Sequence, residues 1–382
     1  MVTPSPLIEI AGPPRQRGQD YGRLAAGRIH LGIRHYLEQL HRKGFGKENL
    51  CVAVEQYLPS IEAFDASYVD EMRGIAEGAG VDFEEVVLLN ARTEVLQLAE
   101  RYASGQDCFR DSEPDGCTGA VALPKVTRDG FLIHAQNWDW KAECAETTVV
   151  LRIRREGGPD VLTFTEAGGL ARCGFNSAGI AITGNYLECE RDYRGLGVPL
   201  ALIRRKVLEQ EHLALAMRAV YVTNKSASNN MIVSHAHGIA IDFECAPDET
   251  FLIHPESGLI VHANHWQSTV ALSKLRDTGI ESTPDSLYRD ILVREALQTH
   301  NGALTTEHFK HALLDDFATP WAVCRPPSKS VTSSNLGATV ATIVMQPAKG
   351  EMEIAMLPAT DPTFTTYSLL RDHKVTSGSA AS

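Results

Sequence analysis

The chain has 382 residues, 43% hydrophobic and 22% charged, the balance of a soluble globular protein rather than a disordered or fibrous one. At this length about three-quarters of the unfolded surface can be buried, so no metal or disulfide is needed for folding. The 36 Lys+Arg against 48 Asp+Glu leave a net charge of −12, which argues against nucleic acid as a partner.

In chain order, the first hundred residues read as helical. Residues 19–40 place Tyr21, Leu24, Ile29, Ile33 and Leu37 near helical spacing. Residues 68–78 form a second helix, closed by Gly78 and Gly80. Asp82 and Glu85 make a capping-box signature ahead of Val86, Val87, Leu88 and Leu89. Between 103 and 116 the sequence turns acidic and small, as an exposed linker does, and such segments accept a chain break. Cys117, read as a turn residue, follows at once.

From there the pattern is β-rich. Strands are expected at 131–135, 148–152, 161–165, 180–183, 231–234, 239–243, 251–254, 259–262, 340–345 and 352–356. Helical stretches interrupt at 199–220 and 285–314. Strands, a helical pair, strands, helices and strands suit an α+β layered domain rather than a regular βαβ array. Residues 376–382 read as a disordered tail.

The eight cysteines include no C-x-x-C pair, which argues against zinc knuckles and a disulfide framework. No apolar leader and no apolar run of about 18 residues is visible, so reduced thiols, a cytoplasmic location and no membrane partner are expected. One thiol stands apart. Cys117 follows the linker, Gly116 offers it an unhindered carbonyl, and Gln136-Asn137-Trp138-Asp139 supplies polar groups downstream. Attack of the thiol on Gly116 would turn the amide into a thioester, and water would release Cys117 as a new N-terminus. The freed α-amine, a group that ordinarily titrates at about 7.7–8.0, is a base of suitable strength beside the nucleophile.

Several segments together resemble the acyl-coenzyme A:6-aminopenicillanic acid acyltransferases (isopenicillin N acyltransferases), cysteine N-terminal-nucleophile (Ntn) hydrolases. They are 73–78, 89–94, 115–118, 136–139, 165–168, 175–179, 262–265 and Cys324-Arg325, in the family's order across nearly the whole chain. The resemblance implies a four-layer αββα sandwich with an α-rich N-terminal segment. It also implies self-cleavage at Gly116–Cys117, with 1–116 staying bound to 117–382 as a heterodimer; residues 117–375 would form the catalytic domain. Cys117 would be the nucleophile, Asp139 would orient its amino group or thiol, Asn185 and Asn264 would donate to the oxyanion, and Arg325 would hold Asp139 or the cysteine. The substrate would be a small N-acylated molecule; no cofactor is implied beyond a coenzyme A thioester as acyl donor. Two departures set the penicillin activity apart: the chain ends Ala380-Ala381-Ser382 rather than in a peroxisomal address, and the surroundings of Gly184 and Tyr186 differ from the family's pattern.

Trp138, Tyr186 and Trp266 are candidate substrate-binding residues, as an apolar wall for an acyl group. Two rival readings remain. His235, His237, His262 and His265, with Asp242 and Glu244 between, could serve a zinc-dependent hydrolase. A non-catalytic binding protein on the same scaffold would keep its chain whole and Cys117 unreactive.

Overall fold

The computed structural model describes residues 3–104, 116–329, 336–357, 362–370 and 377–379. The N-terminal block is strand β1 (Leu7–Ile10) and helices α1 (Pro14–Arg42), α2 (Lys47–Ala79), α3 (Phe83–Asn90) and α4 (Arg92–Ser104). Proline at the first turn of α1 has its φ preset for a helix and lacks only an N–H that would go unused. Gly80 stops α2 in the left-handed conformation, φ 69°. Glu85 Oε2 accepts the Asp82 N–H at 3.0 Å at the start of α3, as the sequence signature predicts. Glycines let α1 and α2 cross at backbone contact: a Cβ on Gly18 would lie 2.1 Å from Glu71 O, and one on Gly78 2.1 Å from Gln19 O.

The rest begins with β2 (Gly116–Ala122), β3 (Ile133–Lys141), β4 (Thr148–Ile153), β5 (Val161–Glu166), β6 (Cys173–Asn176) and β7 (Ile180–Tyr186). Helices α5 (Leu200–Leu208) and α6 (Leu213–Tyr221) follow, then β8 (Asn229–His235), β9 (Ile239–Cys245), β10 (Thr250–Ile253) and β11 (Leu259–His262). Helices α7 (Thr269–Leu272), α8 (Ser286–Gln298) and α9 (Thr306–Leu313) lead into β12 (Ser328–Lys329), β13 (Leu336–Gln346), β14 (Glu351–Met356), β15 (Thr363–Ser368) and β16 (Ser377–Ser379).

Among the described residues these strands make two sheets. The first runs β1-β4-β5-β6-β7-β8-β9-β10; the second runs β11-β2-β3-β13-β14-β15-β16, with β12 beside β13. The sheets face each other where Gly119 of β2 leaves a Cβ only 3.1 Å from Ile232 of β8. Helix α5 lies outside the first sheet, with Arg204 against Gly184 of β7. Helices α8 and α9 cover the second: Val293, Leu297, Phe309 and Leu313 pack on Ala120, Ile133 and Val344. The order is α, β, β, α, as the resemblance implies. One buried cluster joins Ile29, Tyr36 and Leu88 of the N-terminal helices to Leu151, Phe164 and Ala167, so that block shares a core with the first sheet.

The expected elements are recovered with shifted ends, and β1, β2, β6, β12, β15 and β16 are additions. Cys117 is not in a turn. Gly116-Cys117-Thr118-Gly119 reads as a turn by composition, yet it is a buried strand paired on one edge with β3 and, from Gly119, on the other with β11. Small residues stand there because the first sheet approaches closely at Gly119, and Asp139 and Arg325 do so at Gly116. Of the predicted tail, Ser377–Ser379 pair with β15, and its other residues lie outside those described. The linker between 105 and 115 also lies outside them. No helix among the described residues is long and apolar enough to cross a membrane.

Candidate active site

Cys117 is the second residue of β2 and stands opposite Trp138 on β3. Side chains alternate across a strand, so Cys117 and Gly119 face the first sheet while Gly116 and Thr118 face α8. Two clusters of polar groups therefore meet at one residue, one at its thiol and one at its backbone.

On the thiol side, Arg172 Nη2 donates to Cys117 Sγ at 3.2 Å, and its guanidinium lies 4.2 Å over the Trp138 ring. The thiol opens on a pocket of ≈ 590 Å³, mouth included, walled by Arg92, Glu94, Arg172, Tyr186 and Arg204. Arg92 is pinned to Glu166 at 2.6 Å, and the Tyr36 hydroxyl donates to the same carboxylate at 2.6 Å. Burial raises the Glu94 carboxyl above the usual range, although the Leu200 N–H donates to it at 2.9 Å. A second recess continues past Thr93 and Tyr186 to Leu96, Trp140 and Lys141.

On the backbone side, the Cys117 N–H donates to Asn264 Oδ1 at 2.9 Å. Arg289, fully buried on α8, donates through Nη1 to Cys117 O at 2.8 Å and Thr118 Oγ1 at 2.9 Å. Its Nη2 reaches Asn264 Oδ1 at 2.7 Å, and its Nε reaches Asp285 at 2.7 Å. Asp285 also pairs with Arg325, whose Nε stands 3.5 Å from Asp139 Oδ2. Thr339 donates to Asp139 Oδ1 at 2.6 Å. Asp139 Oδ2 is buried, accepts no hydrogen bond, and lies 2.8 Å from where a Cβ on Gly116 would sit. Two arginines and two aspartates thus surround the Gly116–Cys117 peptide.

The structure brings Asp139, Asn264 and Arg325 together around the Gly116–Cys117 peptide. Asn264 turns Oδ1, not Nδ2, to Cys117 and donates from Nδ2 to Tyr186 O at 2.9 Å. Asn185 points between the sheets, donating to His262 O at 2.9 Å and accepting from Gln136 at 2.8 Å. Tyr186 lines the pocket, whereas Trp138 is fully buried beneath Arg172. Trp266 belongs to a separate cluster with Phe251 and Leu275, its Nε1 donating to Glu188 O at 2.9 Å. Charged residues share the wall with Leu89, Ala171, Leu200 and Ala201, where an apolar wall was expected.

The four histidines do not converge. His235 and His237 share the β8–β9 turn, five positions or roughly 16 Å along β8 from Asn230, which faces Glu244 in the register. Glu244 holds His262 at 2.8 Å, and His265 is bonded to Ser286 at 2.8 Å. Among the described residues no group of three or more His, Cys, Asp or Glu is arranged to hold a metal ion. The seven described cysteines are all free thiols. Burial pushes Cys173 up to about 11 and Cys189 and Cys324 up to about 12, leaving them inert.

Sequence reasoning missed Arg172, Arg289, Asp285 and Thr339. The Asp285–Arg289 spacing is a helical i,i+4 ion pair and was there to be read. Thr339 and Arg172 carried no signal, because the pairing of β13 with β3 brings the first to the site and the packing of the two sheets brings the second.

The chain is thus an αββα sandwich with a buried cysteine near the head of an inner strand. The family model described as acyl-coenzyme A:6-aminopenicillanic acid acyl-transferase matches residues 126–357. The acyl-coenzyme A:6-aminopenicillanic-acid-acyltransferase 40 kDa form of Emericella nidulans is 30% identical over 324 residues, 83% of this chain and 84% of that protein. This chain belongs to that family. Among solved structures, a variant of conjugated bile acid hydrolase from Clostridium perfringens is similar at 14% identity and TM-score 0.48, covering 69% of this chain and 97% of that one. Penicillin V acylase from Agrobacterium tumefaciens is similar at 13% identity and TM-score 0.46, covering 67% and 87%.

Proposed function

We propose that the chain is the precursor of a self-cleaving N-terminal-cysteine amidohydrolase or acyltransferase, acting on an N-acyl amide or acyl thioester through a Cys117 thioester. In processing, Sγ attacks the Gly116 carbonyl carbon. The thiol proton passes to the Cys117 nitrogen as the C–N bond breaks, and water then cleaves the thioester to a Gly116 carboxylate and a free thiol. In turnover the new α-amine takes the thiol proton, the thiolate attacks the substrate carbonyl, and the ammonium returns its proton to the leaving amine. Water or an acceptor amine releases the acyl group.

The observation that carries this reading is Asp139 Oδ2 against Gly116, accepting no hydrogen bond, beside the backbone nitrogen of a cysteine whose side chain lines a pocket. A carboxylate there would hold the ammonium that cleavage creates. Several contacts support lasting association of the two products. Strand β1 pairs with β4, Asn90 donates to Gly168 O at 2.9 Å, and Arg92 is bound to Glu166. The charged pocket walls favour a substrate with polar groups next to the scissile carbonyl.

Intact-mass analysis tests the proposal. Wild type should give chains of 116 and 266 residues, and Cys117→Ala one chain of 382. A whole wild-type chain that still turns over N-acyl amides overturns the mechanism. A whole chain with an unreactive Cys117 favours the binding-protein reading. Acylated amino acids, penicillins and acyl thioesters, offered with and without an acceptor amine, separate hydrolysis from transfer.

A further inference from the structure

We infer that Arg289 is a positioning residue that sets which way the Asn264 amide faces, and so makes Asn264 an oxyanion donor in the processed enzyme. The inference rests on the reading of Cys117 as an N-terminal nucleophile. An asparagine amide is acceptor-only at one end and donor-only at the other, and its neighbours decide its orientation. Two donors converge on one end of Asn264: Arg289 Nη2 at 2.7 Å and the Cys117 N–H at 2.9 Å. That end must be Oδ1. Nδ2 then points to Tyr186 O, on the pocket wall that Tyr186 shares with Cys117. It carries two protons; Tyr186 takes one, and the other is left for a substrate carbonyl becoming an oxyanion.

Cleavage changes one of the two donors. An amide nitrogen only donates, but a neutral α-amine also carries a lone pair, so the freed Cys117 nitrogen no longer dictates the amide's orientation. Arg289 still does, because a guanidinium offers donors alone and keeps its charge. It is held rigidly for the purpose, fully buried and bonded to Asp285, Cys117 O and Thr118 Oγ1. Removing it would leave Asp285 still paired with Arg325.

The test compares two reactions of one thiol in wild type, Arg289→Met and Arg289→Lys, each first checked by intact mass for the split. Acylation by 4-nitrophenyl acetate, followed as nitrophenolate release and as mass gained on the Cys117 chain, passes through an oxyanion. Alkylation by iodoacetamide does not. Arg289→Met should lower the acylation rate by about 10²–10³-fold while alkylation stays within about threefold. Loss of both rates in equal measure, or of neither, overturns the inference. A Met variant that fails to fold or to split hands the test to Arg289→Lys. One ammonium cannot serve Asn264, Cys117 O, Thr118 and Asp285 together, so acylation should fall by about tenfold with alkylation retained. Acylation at the wild-type rate there, or a matching loss of alkylation, overturns it equally. Failure of the underlying reading looks different: wild type stays whole and gains no mass on Cys117.

Discussion

Replacing Glu244 by glutamine keeps the side chain's shape and removes one buried charge. Glu244 Oε1 accepts from His262 Nε2 at 2.8 Å and from the Gln267 N–H at 2.5 Å, and Oε2 accepts the Ser268 N–H at 3.0 Å. The carboxylate therefore ties down the turn that carries Asn264. Burial by itself would lower the His262 imidazole, but Asp242 and the bond to Glu244 outweigh it and raise the group to about 9. The cost of stranding this imidazolium is capped, since the ring can give up its proton instead. At pH 7 that costs ~2.7 kcal/mol, at 1.36 kcal/mol per unit. The glutamine NH2 must also face a donor, His262 or a backbone N–H, at a further ~1–3 kcal/mol. Glu244→Gln should thus lose roughly 4–6 kcal/mol at pH 7. A histidine raised on folding contributes stability that is complete below its unfolded value near 6.5 and lost as pH rises through 9. Asp242, pushed by burial up to about 7, adds a fall of the same sign in both proteins. The difference between variant and wild type should therefore shrink above about pH 9 to the ~1–3 kcal/mol hydrogen-bond contribution. Urea unfolding across this range, in a Cys117→Ala background to keep the chain whole, measures it. A difference under ~1 kcal/mol at pH 7, or one that does not change with pH, refutes the reasoning.

Three further outcomes are expected. A Cβ at position 116 would lie 2.8 Å from Asp139 Oδ2 and 3.0 Å from Asp139 Cβ, so Gly116→Ala should slow the split by about 10–100-fold on a timed gel. A wild-type rate would remove steric exclusion as the reason for glycine there. Gly78→Ala sets a Cβ 2.1 Å from Gln19 O and should cost ~3 kcal/mol or more by urea unfolding as α1 and α2 part; an unchanged midpoint contradicts that close crossing. Arg172→Met strips the guanidinium from Sγ, so iodoacetamide should label Cys117 about tenfold more slowly at pH 7. Labelling at the wild-type rate would show that Arg172 does not activate the thiol.

Local pattern carried most of the fold. Helical spacing from Tyr21 to Leu37, the Asp82–Glu85 cap and the β-branched runs each report on their own segment, and each segment adopts the structure that its pattern predicts. Polar or small strands were less legible. Residues 136–139 and 116–119 lack the apolar alternation of a half-exposed strand because both their faces are buried. Their polar side chains find partners distant in sequence, such as Leu313 O for Asn137 and Thr339 for Asp139 Oδ1.

By itself the sequence determined the family to which the chain belongs and singled out Cys117 as the residue on which the proposed chemistry centres. Those follow from residue identity and order. Tertiary structure decided what each group faces: Arg172 at the thiol, Arg289 at the backbone carbonyl, Asn264 with its oxygen toward Cys117, and a pocket of mixed charged and apolar residues where an apolar wall was expected. The reason is geometric. Arg172 is 55 residues from Cys117 and Arg289 is 172, and only the packing of the first sheet on one face of β2 and of α8 on the other brings them within hydrogen-bond reach.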